Sequence, residues 1–404
     1  MSLKSSLKSA IKHNPIYANY IRPLRVKLNT LIESRLTDEQ YFVRRHKKIF
    51  GYTPDFRNPQ TFNEKIIHRI LFDRSPVYTA LADKLKARIY IAATLYPLYE
   101  NAIRGGAECN ASLDSSAQPT IQALAKLNLL DPSSPLFAPI DTLGSTLLAT
   151  NICPYLPKLY GIYKSFDEID FAHLPQAFAI KTNHDCGGVV LVPDKQDFLR
   201  DQARFEAARS KIQQHLATNF YTLFREWHYK DIEPRVFIEE LLGADSRDSS
   251  AKTFENDDFH NKIAQQKDLD SSSTNADSTQ PQPLESPYKA PDDYKFHCFN
   301  EQIFIQVDTE RFTSHTRTMF DTEWNALEVV YYYPLPSTTP TKPQNLPTML
   351  DIARLLSGGF NFVRVDLYSI CGAIVVGELT MTPEGGTGHF TPNEWDKKLG
   401  DLWH

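Results

Sequence analysis

Apolar and polar positions alternate along the chain with two different periods, which predict both helices and strands. Apolar residues spaced three and four apart in TFNEKIIHRILFDR (61–74) form a helical stripe, and Thr61 followed by Glu64 is a capping box that marks its start. The segment PVYTALADKLKARIYIAATL (76–95) predicts a second helix. A long amphipathic helix is predicted over DFLRDQARFEAARSKIQQHLATNF (197–220).

Strand patterns follow in the second half of the chain. FAIKTNHDCGGVVLVPD (178–194) predicts a hairpin that bends at Gly187-Gly188, and PRVFIEELL predicts a short buried strand. DYKFHCFNEQIFIQVD predicts two strands joined at Asn300-Glu301, and NFVRVDLYSICGAIVVGELTMTP predicts a hairpin that turns at Cys371-Gly372. PQNLPTMLDIARLLSG and EWDKKLGDLW predict helices. The fold class predicted is therefore α+β.

Changes in composition divide the chain. The segment after residue 242 is polar, rich in Ser and Asp and nearly free of aliphatic residues, so we expect it to be disordered. The predicted divisions are a basic amphipathic segment (1–40), a helical block (41–100), an insertion with one or two short helices (101–150), a first α+β lobe (151–242), the disordered insertion (243–291) and a second α+β lobe (292–404).

Composition and charge narrow the possible functions. The 404 residues are 41% hydrophobic and 23% charged, which is typical of a folded protein rather than a disordered or fibrous one. The net charge of −5 argues against a nucleic-acid partner. The five cysteines include no CxxC pair, which argues against a zinc ribbon or a thioredoxin-type site and favours a reducing compartment.

The N-terminus carries apolar residues at helical spacing with lysines between them, and it lacks the apolar core of a secretion signal. We therefore expect a cytoplasmic protein. The basic N-terminal segment predicts peripheral contact with the anionic inner membrane, and a solvated helix is the alternative.

Four polar residues of the final hairpin are candidates for a metal site. Arg364 and Asp366 alternate on one strand, as Glu378 and Thr380 do on the next, and folding the hairpin brings the two carboxylates together. Two adjacent carboxylates need a cation between them, and oxygen ligands suit Mg²⁺. The alternative is an ordinary polar face with an Arg–Glu pair.

Two further segments are weaker candidates. Lys181 ends an apolar strand just before the glycine turn, from where it can reach a phosphate that the loop amides cap. The alternative is an ordinary hairpin with an exposed lysine, since no Walker sequence follows. The strand that runs into Glu239-Glu240-Leu241-Leu242 can present backbone groups to an adenine edge, and a plain buried strand is the alternative.

These segments occur in an order that resembles the ATP-grasp superfamily: a strand lysine, then an apolar strand that ends in Glu, then RVD…ExT…P. Within it, the phrases YFVRRHKKIFGYTPDFRNPQTFNEK, YTALADKLKAR, FAIKTNHDCGGVV, DYKFHCFNEQIFIQVDTERFT, FVRVDLY and GELTMTPEGGTGHFTPNEWDKKLG are similar to the TupA-like ATP-grasp family. The resemblance implies an ATP-grasp fold in which two α+β lobes grip ATP. It also implies a role in bacterial cell-surface polysaccharide synthesis.

The resemblance also implies roles for individual residues. The ATP-binding residues would be Arg88, Lys181, Asp185, Gly187, Gly188, Glu239, Glu240 and Leu242. The Mg²⁺ ligands would be Asp366, Glu378 and Thr380, where Thr380 stands in place of the usual Asn, and the catalytic cations would be Arg364 and Lys295. His184, beside the phosphate loop, is a candidate substrate-side base or a structural histidine. Asn63, Lys65, His68, His389 and Trp395 are weaker candidates for substrate contact.

The implied reaction joins a carboxylate, on a glycan or nucleotide-sugar precursor, to an amine at the expense of Mg-ATP. A glycosyltransferase, an ATP-grasp-type kinase and a non-catalytic scaffold are the alternatives. Glycosyltransferases often carry a DxD metal motif, and the DxD of this chain, DLD (268–270), lies in the segment expected to be disordered.

Overall fold

The computed structural model describes residue 28 and residues 31–104, 117–243, 292–300, 302–310 and 314–404. The predictions for most of the amphipathic N-terminal segment, for the disordered insertion and for the turn residue Glu301 lie outside these ranges. The described residues divide into two compact units, and the boundary along the chain falls between Pro54 and Asp55.

The first unit contains helix α1 (Asp38–Phe50). Its N-cap residue Thr37 forms a capping box with Gln40, and Gly51 ends the helix in a left-handed conformation with φ of 84°. Such a C-terminal glycine satisfies the last carbonyl groups of the helix.

The second unit opens with a block of helices: α2 (Phe62–Phe72), α3 (Pro76–Ala82), α4 (Lys84–Thr94) and α5 (Tyr96–Arg104). The predicted capping box of Thr61 and Glu64 is confirmed. The prediction of a single helix over 76–95 is wrong, because Asp83 takes an extended conformation (φ −73°, ψ 108°) and caps the Leu85 N–H with its side chain. An aspartate is a better cap than an interior helical residue.

The described part of the 101–150 insertion packs into the main core. It contains α6 (Ala117–Leu124), α7 (Gly144–Ala149) and the 3₁₀ turns Pro135–Phe137, Ile140–Thr142 and Thr150–Ile152. Ile121, Leu136 and Leu147 are fully buried within the same core as the second sheet. The described part of this region therefore contributes to the hydrophobic core.

The first sheet has four strands in the order β1-β4-β2-β3: β1 (Leu159–Tyr163), β2 (Phe178–Thr182), β3 (Val189–Val192) and β4 (Val236–Glu239). Its helices are α8 (Lys195–Arg200), α9 (Gln202–Leu216) and α10 (Phe220–Phe224), and its 3₁₀ turns are Phe166–Glu168, Phe171–His173 and Trp227–Tyr229. The single helix predicted over 197–220 is broken at Asp201, whose side chain caps the N–H of Arg204.

The second sheet has five strands in the order β10-β9-β5-β6-β7: β5 (Asp293–Phe299), β6 (Gln302–Thr309), β7 (Thr316–Phe320), β9 (Val363–Ile370) and β10 (Ala373–Thr380). Helix α11 (Leu346–Ser357) contacts β5 and β9. Phe296, Val365 and Leu367 join the hydrophobic core with α11, while the opposite face of these strands carries charged residues. The sheet thus has one apolar and one polar face, as antiparallel sheets commonly do.

The C-terminal segment packs on α2. It comprises the 3₁₀ turn Pro383–Gly386, β11 (Phe390–Thr391), which pairs with β8 (Val330–Tyr331), and α12 (Glu394–Leu402). The weaker substrate candidates on α2 are engaged here: the Asn63 amide bonds the backbone of Gly388, and Lys65 bonds the Trp403 carbonyl.

Within the described part of the chain, no helix combines the length and the apolar character that crossing a membrane requires.

Candidate functional site

The hairpin of β9 and β10 brings its four predicted residues together on the polar face. Asp366 lies opposite Glu378, and Arg364 lies opposite Thr380, in the antiparallel register. Arg364 donates to both oxygens of Asp366 at 2.7 Å. It also donates to Glu378 Oε1 at 3.2 Å and to Thr380 Oγ1 at 3.0 Å. The register thus confirms the expected meeting of the two carboxylates.

A β-bulge in β10 makes this arrangement possible. The register shifts between Val376, which pairs with Leu367 in the core, and Glu378, which pairs with Asp366 on the polar face. Residues two apart on a regular strand share a face, so the extra residue Gly377 is what turns Glu378 away from the core. Strand alternation in the sequence does not reveal such a bulge.

The two carboxylates of the hairpin have opposite electrostatic environments. Burial raises the pKa of Asp366 to about 6, even though Arg364 and Lys295 act in the other direction. Desolvation would also raise the pKa of Glu378, but the charges of Arg364, Lys295 and Lys84 outweigh it and lower the pKa to about 2. Since 47% of the Glu378 side chain remains exposed, this ionised carboxylate is accessible to a ligand.

Lys295 joins the hairpin cluster to strand β5. Its ammonium group donates to Asp366 at 2.7 Å and to Asp293 at 2.5 Å, and the lysine side chain is 11% exposed. Burial would lower the pKa of Lys295, but the charges of Asp293 and Asp366 outweigh burial and raise this pKa. The lysine therefore stays charged beside the two hairpin carboxylates.

The first lobe presents a second set of charges around Glu239. Lys181, near the end of β2, donates to Glu239 Oε1 at 2.5 Å, and Arg88 of α4 donates to Oε2 at 3.2 Å. Arg88 also donates to the Pro157 carbonyl at 2.5 Å. Glu239 thus holds together two of the residues expected to contact phosphate. Glu240 is exposed and accepts a bond from the Lys158 N–H, so only Glu239 of the predicted linker pair faces the cations.

The glycine-bearing loop between β2 and β3 is held in place by hydrogen bonds from α4. Lys84, the first residue of α4, donates to the carbonyl oxygens of Thr182 and Asp185. The Asp185 carboxylate is 3% exposed and accepts bonds from Thr182 and His215. Burial would raise the pKa of Asp185, but His215 and Lys84 outweigh burial and lower this pKa to about 2. Gly187 turns the loop with φ of 93°.

His184 lies in the glycine-bearing loop. Its ring is buried, and Nε2 donates to the carbonyls of His215 at 3.1 Å and Thr218 at 3.2 Å. Only Nδ1 is then left to accept a proton, and burial lowers the pKa of the ring. These contacts fit a structural histidine, and the catalytic role of His184 stays a prediction.

The donor set fits Mg²⁺ held jointly with a substrate. The described residues contain no preassembled group of three or more His, Cys, Asp or Glu side chains that could hold a metal ion. Asp366, Glu378 and Thr380 supply hard oxygen atoms, and Mg²⁺ is commonly bound by one or two carboxylates together with substrate phosphates. Asp366 and Glu378 are therefore suited to a metal that arrives with a nucleotide.

A comparison with known families identifies the family of this chain. A family model described as TupA-like ATPgrasp matches residues 152–260 and 282–404. The chain belongs to the TupA-like ATP-grasp family. It is therefore an ATP-grasp enzyme with an α+β fold of this type. No curated protein matches the chain.

The TupA-like match begins after the helical block, yet that block reaches the site. Lys84 and Arg88 of α4 contact the loop and Glu239 of the first lobe. Arg69 of α2 donates to the carbonyls of Phe362 and Met381, which flank β9 and β10, at 3.0 Å. The Asp83-Lys84 pair resembles the DK motif of the ATP-grasp superfamily, whose distal basic residue is Arg88 in this chain, but no contact was predicted for Lys84 itself. Nothing in the sequence indicated a role for Arg69.

Proposed function

We propose that this enzyme activates a carboxylate with Mg-ATP and joins it to an amine. One observation supports the proposal: Asp366 and Glu378 lie opposite each other on the paired strands of the hairpin, with Arg364 and Lys295 beside them. In ATP-grasp proteins such a set serves phosphoryl transfer, which depends on positioning and on charge stabilisation.

The proposed reaction has two steps. A substrate carboxylate oxygen attacks the γ-phosphorus of ATP, the bond from that phosphorus to the β–γ bridging oxygen breaks, and ADP leaves. The amine nitrogen then attacks the acyl carbon, the bond from that carbon to the phosphate oxygen breaks, and phosphate and a proton are released. Bound Mg²⁺ would neutralise charge on the phosphoryl oxygens.

The chain's own residues have distinct parts in this proposal. Lys181 and Arg88 bind the phosphates of ATP from the first lobe, and Arg364 with Lys295 stabilises the charge that develops on the transferred group. Asp366, Glu378 and Thr380 hold the metal. The loop around Gly187 and Gly188 covers the phosphates and excludes water from the acyl phosphate.

We further propose a substrate class. The acid is a uronate on a cell-surface glycan or on its nucleotide-sugar precursor, and the pathway is bacterial capsule, teichuronopeptide-like or lipopolysaccharide synthesis. The choice of pathway comes from the resemblance of the sequence motifs to a family associated with cell-surface polysaccharide synthesis, and the polar face of the sheet is compatible with a charged acid. A reaction that consumes ATP also accords with the cytoplasmic location that we expect.

A screen for ADP release tests the proposal. Uronic-acid nucleotide sugars are combined with a panel of amino acids and amino alcohols in the presence of Mg-ATP. We expect ADP only when an acid is present, and an amide only when acid and amine are both present. The Glu378→Gln variant should lose at least about 100-fold in rate. Glu323→Gln, which changes an exposed carboxylate, serves as the matched control.

The alternatives give different products in the same screen. A kinase releases ADP with the acceptor alone and needs no amine. A glycosyltransferase turns over the UDP-sugar without forming ADP. Either result would replace the ligase proposal.

A further inference from the structure

The turn that follows β10 has an unusual backbone. Glu384, Gly385 and Gly386 are successive residues with left-handed φ values of 53°, 56° and 69°. Glycine adopts this conformation readily, whereas a side chain with a Cβ atom pays a steric penalty there. The first of the three positions nevertheless carries a glutamate.

The surrounding contacts hold the turn in this conformation from several directions. The Thr382 hydroxyl donates to Glu226 at 2.5 Å, and the Asn63 side chain exchanges bonds of 2.8 and 3.1 Å with the backbone of Gly388. A Cβ at Gly386 would lie 2.9 Å from the Asn63 carbonyl oxygen, so α2 also fits closely against the turn. A strained residue that is fixed so thoroughly is a pointer to function.

The side chain of Glu384 contacts a buried guanidinium group. Arg317 donates to its Oε1 at 3.4 Å, and the guanidinium is in turn held by both oxygens of Asp308 at 2.6 and 3.0 Å. The Tyr331 and Tyr333 rings lie 5.0 and 4.8 Å from the same guanidinium. The side chain of Arg317 is only 3% exposed, whereas 22% of the Glu384 side chain is exposed.

Glu384 lies at the edge of the same charged face as the reacting centre. Its partner Arg317 pairs in register with Asp308 of β6, Gln306 of β6 lies opposite Lys295 of β5, and Lys295 lies opposite Asp366 of β9. Glu384 also follows Thr380 by only four residues along the chain. A partly accessible carboxylate thus stands at the edge of the charged face where the acyl group would be activated.

We propose that Glu384 binds the amino group of the amine substrate, and that the left-handed turn serves to present its carboxylate. This inference rests on the proposed ligase function and names the residue that selects the second substrate. An ammonium group would donate a charge-assisted hydrogen bond to the carboxylate, which is stronger than a bond between neutral groups. The alternative is that Glu384 serves only as a structural partner of Arg317.

Two substitutions separate these roles. Glu384→Gln keeps the shape of the side chain and removes its charge, and Glu384→Gly also relieves the backbone. If the turn exists for binding, Glu384→Gly should unfold at the wild-type temperature or above it, because glycine suits the conformation. Glu328→Gln changes an exposed carboxylate of the same lobe and is the matched control.

The kinetic test uses UDP-glucuronate as the acid, with ethanolamine, L-alanine or hydroxylamine as the nucleophile. Hydroxylamine is uncharged at slightly alkaline pH, so it traps an acyl phosphate without needing a carboxylate partner. We expect both variants to raise KM for ethanolamine and L-alanine about 10- to 100-fold, the loss of a charged hydrogen bond, and to leave hydroxylamine trapping unchanged. An unchanged amine KM, or equal losses with all three nucleophiles, would overturn the inference.

Binding without turnover distinguishes this inference from the proposed function. Saturation-transfer NMR measures the binding of ethanolamine and L-alanine to the protein with Mg²⁺ and a non-hydrolysable ATP analogue. Amine binding that Glu384→Gln abolishes supports the inference even if no ADP is released, in which case the ligase proposal alone fails. If the wild type binds neither amine, or if Glu384→Gln binds them equally well, the inference is wrong.

Discussion

Replacing Lys181 with methionine removes one cation that we propose to bind phosphate, at little structural cost. The lysine Nζ donates to Glu239 Oε1 at 2.5 Å, but Arg88 donates to the other oxygen of the same carboxylate at 3.2 Å. Glu239 therefore keeps a buried cationic partner in the variant. Because the Lys181 side chain is itself 28% exposed, the free energy of unfolding should fall by only about 1–2 kcal/mol.

The effect of Lys181→Met on nucleotide affinity should be larger than its effect on stability. A hydrogen bond between an ammonium group and a phosphate contributes about 1.5–3 kcal/mol, which corresponds to an increase in Kd of roughly 10- to 150-fold. Isothermal titration calorimetry with Mg²⁺ and a non-hydrolysable ATP analogue measures this change.

The matched control is Lys164→Met, which removes an exposed lysine that pairs with Asp141 at 2.9 Å. It should bind the nucleotide as the wild type does. A folded Lys181→Met protein with wild-type affinity would refute the assignment of Lys181 to the phosphates.

Three further predictions concern the framework of the site. Gly188→Ala should weaken Mg-ATP binding in the same calorimetric assay, because the added Cβ would overlap the Thr182 hydroxyl and displace the loop. Wild-type affinity in this variant would show that the loop adapts, and would contradict the prediction. Arg69→Met should lower the free energy of unfolding by about 3–6 kcal/mol in urea titrations, because two buried hydrogen bonds to a charged group are lost. The exposed Arg74→Met should change it little, and equal effects would contradict the role of Arg69. Burial lowers the pKa of His297 to about 3, so between about pH 6.5 and 3 the unfolded chain binds more protons than the folded protein does. The free energy of unfolding should therefore fall with decreasing pH by up to about 1.4 kcal/mol per pH unit. Urea titrations at several pH values should give a shallower pH dependence for His297→Gln, and an unchanged pH dependence would contradict this reasoning.

Sequence reasoning succeeded where a short segment determines its own structure. The capping box at Thr61 and the tight turn at Cys371-Gly372, where both residues have positive φ, depend on neighbours in sequence. The pairing of Asp366 with Glu378 follows from that turn once the strands are in register. The ATP-grasp fold itself was inferred from the resemblance, and the family match confirms it.

It failed where two local structures compete and where the outcome depends on tertiary contacts. Asp83 and Asp201 lie within helical patterns but break the helices, because capping a new helix competes with continuing the old one. The bulge at Gly377 and the anchoring of β9 and β10 by Arg69 depend on elements distant in sequence. No local pattern encodes such contacts.

For His184, the sequence left both a substrate-side base and a structural histidine open. Its Nε2 donates to the carbonyls of His215 in α9 and of Thr218 just after it, which fits the structural alternative, and a catalytic role stays a prediction. The position of a residue in a motif thus indicated proximity to the site, and the packing of a later helix decided which atom is available.

The central claim is that a carboxylate is activated by phosphorylation before an amine displaces the phosphate. The direct test is to supply UDP-glucuronate labelled with ¹⁸O in its carboxylate, together with Mg-ATP and an amine that supports ADP release, and to analyse the inorganic phosphate by mass spectrometry. The account predicts one labelled oxygen in each phosphate, because the acyl C–O bond breaks when the amide forms. Amide formation with unlabelled phosphate, or ADP release with no amide, would contradict it.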